Sequence, residues 1–264
     1  MIVSMLGAIV GDIIGSTYEF LGEKRHDILL FAHGSTFTDD TVLTVAVAES
    51  LLTGRDYVDT FKEFSRRHPN RGYGTHYYVW MKSENRQPYN SWGNGSAMRV
   101  SPVAWARDTL EDVLAEAERS AAVTHDHPEG IAGAQATALA VFLARVGADK
   151  QEIKAQVTAR FGYDLDRTPD EIRPEYEFDV SCQGSVPESI ICFLHSESYE
   201  DAIRLAASLG GDVDTMAAIA GGIAEAYYGG VPDELAERGI EYLTDDLRDV
   251  VVRFRDRYVT NRSR

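Results

Sequence analysis

The chain has 264 residues, of which 44% are hydrophobic and 26% are charged, as in a soluble globular protein that can bury a sizeable core. Its formal net charge of −16 argues against a nucleic-acid or anionic-membrane partner, because phosphate groups would be repelled, and suits a protein that concentrates cations. The two cysteines, Cys182 and Cys192, form no zinc or disulfide pattern, which favours a reduced, cytoplasmic setting.

The first predicted element is an apolar helix within residues 1–21. No basic residue precedes its apolar part and two carboxylates interrupt it, so we expect a buried helix and not a targeting segment or membrane anchor. Glycines recur every four residues, which leaves one smooth face for close helix packing; they are Gly7, Gly11 and Gly15. Asp12 is either a satisfied buried carboxylate or a group that supports a site, and both alternatives stay open.

A second helix is predicted to follow the stretch Thr38-Asp39-Asp40-Thr41. Thr38 can cap this helix, and the two aspartates lie in its first turn, where free N–H groups and the helix dipole favour negative charge. Residues 42–52 are apolar almost all round, so the helix is predicted to be central and buried. Two adjacent carboxylates in a partly buried place need a cation.

Further helices are predicted over residues 56–67, 77–81, 97–106, 110–117, 128–145 and 150–161. Residues 88–99 begin as a loop that contains the run Gly93-Asn94-Gly95-Ser96. Such a run before a helix is typical of a nest of free N–H groups suited to phosphate or another oxyanion, although the residues alone favour a plain turn.

The stretch Thr124-His125-Asp126-His127 precedes Pro128, which suits the first position of a helix. Two histidines beside an aspartate could be metal ligands. Without a matching cysteine or histidine elsewhere in the sequence, capping and substrate contact are the better interpretations.

Residues 163–184 are rich in proline and aspartate, show little periodicity and are predicted to form a surface excursion. Four more helices are predicted over residues 186–194, 199–208, 214–228 and 246–258. Neither a convincing alternating strand pattern nor an internal repeat or flexible linker is found. The predicted fold class is therefore all-α, a compact orthogonal multi-helix bundle in a single domain spanning residues 1–264.

A second acidic stretch, Gly210-Gly211-Asp212-Val213-Asp214-Thr215, also runs into a helix of small and apolar residues. If the two acidic helix starts meet, four carboxylates converge with two threonine hydroxyls. Four negative charges balance two divalent cations, and all-oxygen ligation selects a hard metal such as Mg²⁺ or Mn²⁺ over zinc. The sequence thus predicts a two-metal site at helix N-termini.

Five stretches, in this order, resemble the ADP-ribosylglycohydrolase family over most of the chain. They are Gly7-Ala8-Ile9-Val10-Gly11-Asp12 with Glu19, Thr38-Asp39-Asp40-Thr41, Gly93-Asn94-Gly95-Ser96-Ala97-Met98-Arg99, Thr124-His125-Asp126-His127-Pro128 and Gly211-Asp212-Val213-Asp214-Thr215. Any one stretch is weak evidence, but the five in order are specific. The resemblance implies an all-α domain with a binuclear Mg²⁺ or Mn²⁺ centre.

The resemblance also implies roles for particular residues. The implied metal ligands, which agree with the charge argument, are Thr38, Asp39, Asp40, Asp212, Asp214 and Thr215. Glu19 is implied to position or deprotonate the attacking water, and Asp39, Asp40 and Asp212 are counted with it as catalytic. The implied substrate-binding residues, which would hold the diphosphate and distal ribose, are Gly93, Asn94, Gly95, Ser96, Met98, Arg99 and His125. His127 is interpreted as structural.

The implied activity is metal-dependent cleavage of the bond between ADP-ribose and an acceptor, such as an arginine or serine side chain of an ADP-ribosylated protein. Two alternatives remain: hydrolysis of free ADP-ribose derivatives such as O-acetyl-ADP-ribose, or of ADP-ribosylated nucleic acid, and non-catalytic binding of ADP-ribose on the same fold. The presence of all four acidic ligands argues against the non-catalytic alternative. Residues 163–184 and 71–78 are the hypothesised determinants of acceptor choice.

Overall fold

The computed structural model describes residues 5–19, 21–22 and 24–260, and these residues form α-helices joined by loops. The β-type pairing among them is one isolated bridge between Gly93 and Ser181, and the predicted all-α class is confirmed. The helices are α1 (Leu6–Gly15), α2 (Asp39–Thr53), α3 (Tyr57–Arg67), α4 (Thr75–Lys82), α5 (Gly95–Met98), α6 (Ser101–Ala106), α7 (Leu110–Ala122), α8 (Pro128–Arg145), α9 (Lys150–Phe161), α10 (Pro169–Ile172), α11 (Cys182–His195), α12 (Tyr199–Leu209), α13 (Val213–Tyr228), α14 (Asp233–Tyr242) and α15 (Asp245–Tyr258). Residues 1–4 and Phe20, part of the predicted first segment, lie outside the described residues.

Helix α13 lies at the centre of the helical assembly. Its residues are buried from Val213 to Ala226, and it packs against α1, α8, α11 and α12. Its small and apolar residues cover every face, as expected of a helix that is surrounded by others. Helices α1, α2 and α8 also bury most of their residues, so together with α13 they form a large part of the core. None of the described helices is both long enough and apolar enough to cross a membrane.

Helices α1 and α13 approach each other closely because glycines line their contact. A Cβ atom built on each α1 glycine would overlap α13: on Gly7 it would lie 2.3 Å from Gly221 O, on Gly11 2.2 Å from Ala217 O, and on Gly15 2.5 Å from Asp214 Cα. The smooth glycine face that the sequence predicts is therefore the contact with α13. Its last member lies directly against an acidic residue of the predicted site.

Replacing Gly11 by alanine is expected to lower the free energy of unfolding by about 1–3 kcal/mol, because the methyl group would overlap the α13 backbone, which cannot rotate away. Urea denaturation measures the loss. Gly74→Ala is the matched control, since a Cβ there meets nothing within 4 Å and the backbone has φ −56°. We expect Gly74→Ala to stay within about 0.5 kcal/mol of wild type. Equal losses in the two variants would contradict the packing argument.

Helix α2 begins and ends where its sequence predicts. The Thr38 hydroxyl accepts a hydrogen bond from Asp40 N at 3.3 Å, and Gly54 ends the helix with φ 75°, a left-handed conformation that glycine adopts without strain. Helix α2 packs against α1, α3, α6 and α15, so its acidic N-terminus is held in the interior of the protein.

Most predicted helices are confirmed, with ends that shift by a few residues, but two places differ. The predicted helix 97–106 is divided into α5 and α6, because Pro102 cannot donate a hydrogen bond to the Met98 carbonyl and its ring would crowd that carbonyl. Helix α14 lies where the sequence analysis predicts no element. Only Ala236 and Gly239 of α14 are buried, but Leu235, Ile240 and Tyr242 also pack against the core, so its short apolar face was overlooked in the sequence.

Residues 163–184 are not purely a surface excursion, and this prediction was wrong in part. Tyr163, Leu165 and Ile172 are buried, α10 interrupts the segment, and α11 begins at Cys182 and not at residue 186. The apolar residues are separated irregularly by polar ones, so no helical or strand period reveals that they anchor the segment to the core.

Candidate active site

A pocket of about 690 Å³ opens beside the N-termini of α2 and α13, a volume within the range of small-molecule sites. Its walls come from the segment after α1, from residues 36–43, 70–77 and 89–99, from His125, and from residues 178–180 and 212–215. The pocket therefore brings together residues from all five stretches of the family resemblance, and the N-terminal stretch contributes through Glu19.

Asp12 ties α1 to the N-terminus of α2. Its Oδ2 accepts hydrogen bonds from Thr38 N at 3.0 Å, Thr41 N at 3.1 Å and the Thr41 hydroxyl at 2.5 Å, and its Oδ1 accepts one from the Thr38 hydroxyl at 2.7 Å. The carboxylate thereby satisfies N–H groups that the start of a helix leaves unpaired. Asp12 is both a satisfied buried carboxylate and a neighbour of the site, so it combines the two alternatives that the sequence leaves open.

The N-termini of α2 and α13 meet. The Thr215 hydroxyl donates to Asp40 Oδ2 at 3.3 Å. Oxygen atoms of Asp12, Asp40 and Asp214 lie within 4.8 Å of one another, and so do those of Glu19, Asp212 and Asp214. Asp214 belongs to both groups and is the residue that joins them.

The remaining predicted ligand, Asp39, lies on the pocket wall outside these two groups. Its backbone N–H donates to Arg71 O at 2.7 Å, which attaches residues 70–72 to the start of α2. The side-chain amide of Asn94 donates to Asp212 Oδ2 at 2.7 Å, so the glycine-containing loop is bonded directly to the acidic end of α13.

Burial raises the pKa of these carboxyl groups. The pKa of Asp12 rises to about 6, although hydrogen bonds from Thr41 and Thr38 oppose the shift. The pKa of Glu19 rises to about 7 through burial and the charges of Asp212 and Asp12. Burial, followed by neighbouring carboxylates, places the pKa of Asp39, Asp40 and Asp214 well above the usual range, and burial also raises that of Asp212.

The cluster lacks a counter-charge from the described part of the chain. The groups that act most strongly on these pKa values are other carboxylates and hydrogen-bond donors, and no positively charged side chain is among them. Asp40 Oδ1 is buried without a hydrogen-bond partner. Carboxylate and hydroxyl oxygens with no internal cation fit a hard divalent ion such as Mg²⁺ or Mn²⁺. The structure adds Asp12 and Glu19 to the six predicted ligands as neighbours of such an ion.

The stability of the metal-free protein is expected to fall as the pH rises through the acidic range towards neutrality. Asp12 and Glu19 have ordinary pKa values of 3.8 and 4.5 and folded values of about 6 and about 7. Between the ordinary pKa and the folded pKa of each group, the native state binds more protons than the unfolded state. Each carboxyl group therefore contributes its full stabilising free energy below its ordinary pKa. This contribution is lost as the pH rises through its folded pKa. Thermal unfolding of chelated protein across this range measures the effect. A stability that rises with pH would contradict it.

The glycine-containing loop lines the pocket through Gly93, Asn94 and Gly95. Its backbone is more occupied than the sequence predicts: Gly93 N donates to the Ser91 hydroxyl at 3.1 Å, and Asn94 N donates to Val180 O at 2.8 Å. The expectation of free N–H groups at these two residues is therefore wrong. Both N–H groups are instead used in hydrogen bonds within a turn that pairs with the chain around residue 180.

The other predicted substrate-binding residues occupy different depths. Met98 and His125 line the pocket, and the Met98 sulfur lies 3.7 Å from the Thr215 hydroxyl oxygen. The Ser96 hydroxyl donates to Gly130 O at 2.6 Å and is fully buried. Arg99 reaches the pocket wall, but its side chain is 0% exposed. His127 caps α8 by accepting a hydrogen bond from Glu129 N, which agrees with its interpretation as structural.

Several pocket residues have no clear signal in the sequence. His76, Tyr89, Phe178 and Val180 line the wall, although each lies in a segment without a chemical motif. Phe178 and Val180 are about half exposed, which is unusual for large apolar side chains beside a pocket. For Phe178 and Val180, the sequence indicates a role only through their position in residues 163–184, a segment hypothesised to select the acceptor.

Fold and pocket together define an all-α protein built around a buried carboxylate cluster that could hold a metal ion. The model of the ADP-ribosylglycohydrolase family matches residues 2–263, and the chain belongs to this family of enzymes.

Comparison with characterised proteins agrees with this assignment. The chain is 30% identical over 305 residues to the human protein named ADP-ribosylhydrolase ARH3, an alignment that covers 85% of this chain and 84% of the human protein. It is 28% identical over 270 residues to the Pseudomonas putida (strain GB-1) protein named ADP-ribosylarginine hydrolase Tri1, with 89% and 72% of the two chains covered. A solved structure titled ADP-ribosylglycohydrolase-related protein complex matches 95% of this chain and 94% of its own with a TM-score of 0.73, and at 24% identity it supports the fold.

Proposed function

We propose that this protein is a metal-dependent hydrolase that cleaves the glycosidic bond between ADP-ribose and an acceptor, and so reverses ADP-ribosylation. The observation that carries the proposal is the pocket, because the carboxylates of α2 and α13 and the Gly93–Gly95 turn with His125 line one continuous cavity. Such a cavity can hold a ribose at the carboxylates while the rest of a long, anionic nucleotide extends along the adjoining wall.

Two Mg²⁺ or Mn²⁺ ions are the proposed cofactors. The residues that would hold them are Thr38, Asp39, Asp40, Asp212, Asp214 and Thr215, supported by Asp12. When bound, such ions polarise the ribose hydroxyls and make a nearby water more acidic. The protein contributes a preformed set of oxygen donors at two helix N-termini.

Glu19 is the proposed general base. It lies on the pocket wall next to Asp212 and Asp214, where its carboxylate can accept a proton from a water beside the ribose. The water oxygen would bond to C1 of the ribose while the bond from C1 to the acceptor breaks and the acceptor takes up a proton. Positive charge develops on the ribose in this step, and the surrounding carboxylates stabilise it.

A protein side chain, arginine or serine, is the proposed acceptor. The names of the human and Pseudomonas relatives support an ADP-ribosylated substrate. Residues 70–77 and 178–180 lie on the pocket wall, which supports their proposed part in selecting the acceptor.

Exchanging residues 71–78 for those of a relative with another linkage preference should shift the preference for arginine-, serine- or O-acetyl-linked substrates. An unchanged preference would contradict the proposed role of this segment.

The deciding experiment is release of ADP-ribose from arginine-, serine- and O-acetyl-linked substrates, with Mg²⁺, with Mn²⁺ and with chelator, by wild type and Asp212→Ala. Turnover that needs metal and is lost in the variant supports the hydrolase and identifies its linkage. Tight binding of ADP-ribose without turnover would favour a non-catalytic binding protein.

A further inference from the structure

Arg99 is a buried cation behind the pocket wall. It follows α5 and stacks over the Phe61 ring at 4.5 Å, and burial is the main influence on its pKa, which it lowers. Its Nη2 donates to Ser120 O at 3.1 Å and to the Thr124 hydroxyl at 2.9 Å, while Nε and Nη1 are buried without a hydrogen-bond partner. In this position the guanidinium is fully buried, although Arg99 also borders the pocket.

The Thr124 hydroxyl connects Arg99 to His125. Thr124 Oγ1 lies 2.7 Å from His125 Nδ1. Because a guanidinium only donates, the threonine oxygen must accept from Arg99. Tyr89 lies beside the same hydroxyl, and burial raises its pKa to about 12, so its phenol stays protonated and can either donate to Thr124 or accept from it. With the threonine oxygen accepting from Arg99, its hydrogen is available for His125 Nδ1 at 2.7 Å.

The other ring nitrogen of His125 faces the glycine-containing turn. Cβ atoms built on Gly93 and Gly95 would lie 3.6 and 3.2 Å from His125 Nε2, so the absence of side chains at both positions leaves that nitrogen open towards the pocket. Burial and the nearby Arg99 charge hold the pKa of His125 well below its usual range, and the ring is neutral. A neutral ring whose Nδ1 accepts a hydrogen bond carries its hydrogen on Nε2.

We propose that Arg99 is a positioning residue that acts through Thr124 to fix His125 as the Nε2–H tautomer, so that the pocket presents an uncharged hydrogen-bond donor to an anionic oxygen of the bound nucleotide. The identity of that oxygen, an oxygen of the diphosphate, rests on the function proposed above. The tautomer itself does not, because it concerns only the hydrogen bonds among these residues.

Nitrogen NMR of histidine-labelled protein tests the tautomer without any substrate. The chain has seven histidines, and the His125 signal is assigned by its loss in His125→Gln. In wild type we expect protonated Nε2 and unprotonated Nδ1. Thr124→Val removes the hydroxyl with little change of shape and should produce a mixture of tautomers, whereas Thr124→Ser should restore the wild-type pattern. Arg99→Met should also give a mixture if it folds, and Thr124→Val keeps the test decisive if it does not.

Kinetics supply the second readout. Thr124→Val should raise KM for an ADP-ribosylated substrate about tenfold with kcat nearly unchanged, since one neutral hydrogen bond to the ligand is misaligned. Thr137→Val is the matched control: Thr137 is 1% exposed in α8, and its hydroxyl has no hydrogen-bond partner. We expect neither its His125 signals nor its KM to change.

A wild-type His125 protonated at Nδ1, or an unchanged tautomer in Thr124→Val, would overturn the proposal, as would an equal rise in KM in Thr137→Val. If wild type hydrolyses no ADP-ribose linkage but the NMR results are as expected, the proposed function fails while the relay from Arg99 to His125 stands.

Discussion

Replacing Asp214 by asparagine is expected to lower turnover of an ADP-ribosylated substrate about 10³-fold or more while the protein remains folded. Asp214 is the only residue that belongs to both groups of closely spaced carboxylates in the described chain. Asparagine has nearly the same shape but removes a negative charge and an anionic ligand atom. A loss of about 4 kcal/mol of transition-state stabilisation corresponds to this reduction, and metal-assisted polarisation is worth several kcal/mol.

The same variant is expected to be more stable than wild type when both are metal-free at neutral pH. Burial and the charges of Asp212, Asp40, Glu19 and Asp12 place the pKa of Asp214 well above the usual range, so ionising it in the folded state is unfavourable. Asparagine removes that repulsion. Stability and activity therefore change in opposite directions, as expected where a functional site is maintained at the expense of stability.

Glu116→Gln is the matched control, because Glu116 is also a buried carboxylate but lies in α7 outside the pocket. Burial disfavours its charge, but a hydrogen bond from Tyr57 and the pairing with Arg107 and Arg119 outweigh burial and lower its pKa, so neutralising it weakens both ion pairs. This variant should keep its activity and lose stability, the reverse of Asp214→Asn. Thermal unfolding of chelated protein and a steady-state assay with metal distinguish the two patterns. An Asp214→Asn protein that turns over substrate normally would refute the assignment of this site.

The parts of the fold that follow from local chemistry were predictable from the sequence. Thr38 at the start of α2, Pro128 at the first position of α8 and Gly54 after α2 act within one helical turn, so each can be recognised without a tertiary structure. The apolar character of α2 and α13 likewise indicates central helices. The pairing of two acidic helix starts was a conjecture from charge, and the Thr215 to Asp40 hydrogen bond is its structural counterpart.

The parts that depend on distant partners were not predictable. Asp12 gains its role from four hydrogen bonds to a helix that begins at residue 39. The burial of Arg99 involves Phe61, which comes from α3 and lies under its guanidinium. Spacing along the chain carries no information about such contacts, so the motif that contains Arg99 does not reveal how deeply it is buried.

The glycine face of α1 is also part of the site. Gly15 lies against Asp214 Cα, and Asp12, one turn earlier on α1, holds the N-terminus of α2. The close approach of α1 and α13 therefore sets the separation of carboxylates that come from three helices. A side chain at Gly15 would move Asp214 away from Asp12 and Asp40, so packing and catalysis share the same contact.

Adding Mg²⁺ or Mn²⁺ to the metal-free protein at neutral pH is expected to raise its Tm by about 5–10 °C. An ion at 100 times its Kd stabilises the fold by about 2.7 kcal/mol, and about 2–4 °C of Tm correspond to each kcal/mol in a chain of this size. The buried carboxylates repel one another without an ion, so the ion provides the counter-charge that the described residues lack.

The metal-dependent rise in Tm should become smaller as the pH falls below the raised pKa of Glu19, about 7, and then below that of Asp12, about 6. Protons compete with the metal for these carboxylates.

Sodium chloride at matched ionic strength is the control for screening, and Asp214→Asn is the control for the site. Neither should reproduce the metal-dependent gain, because screening acts weakly on buried charges and the variant lacks the residue that joins the two carboxylate groups. An equal rise in Tm with sodium chloride, or an undiminished rise in the variant, would place the stabilising ion elsewhere on this acidic protein. A rise confined to Mg²⁺ or Mn²⁺ and to intact Asp214, together with activity that chelator abolishes and either ion restores, would tie stability and catalysis to the same ions.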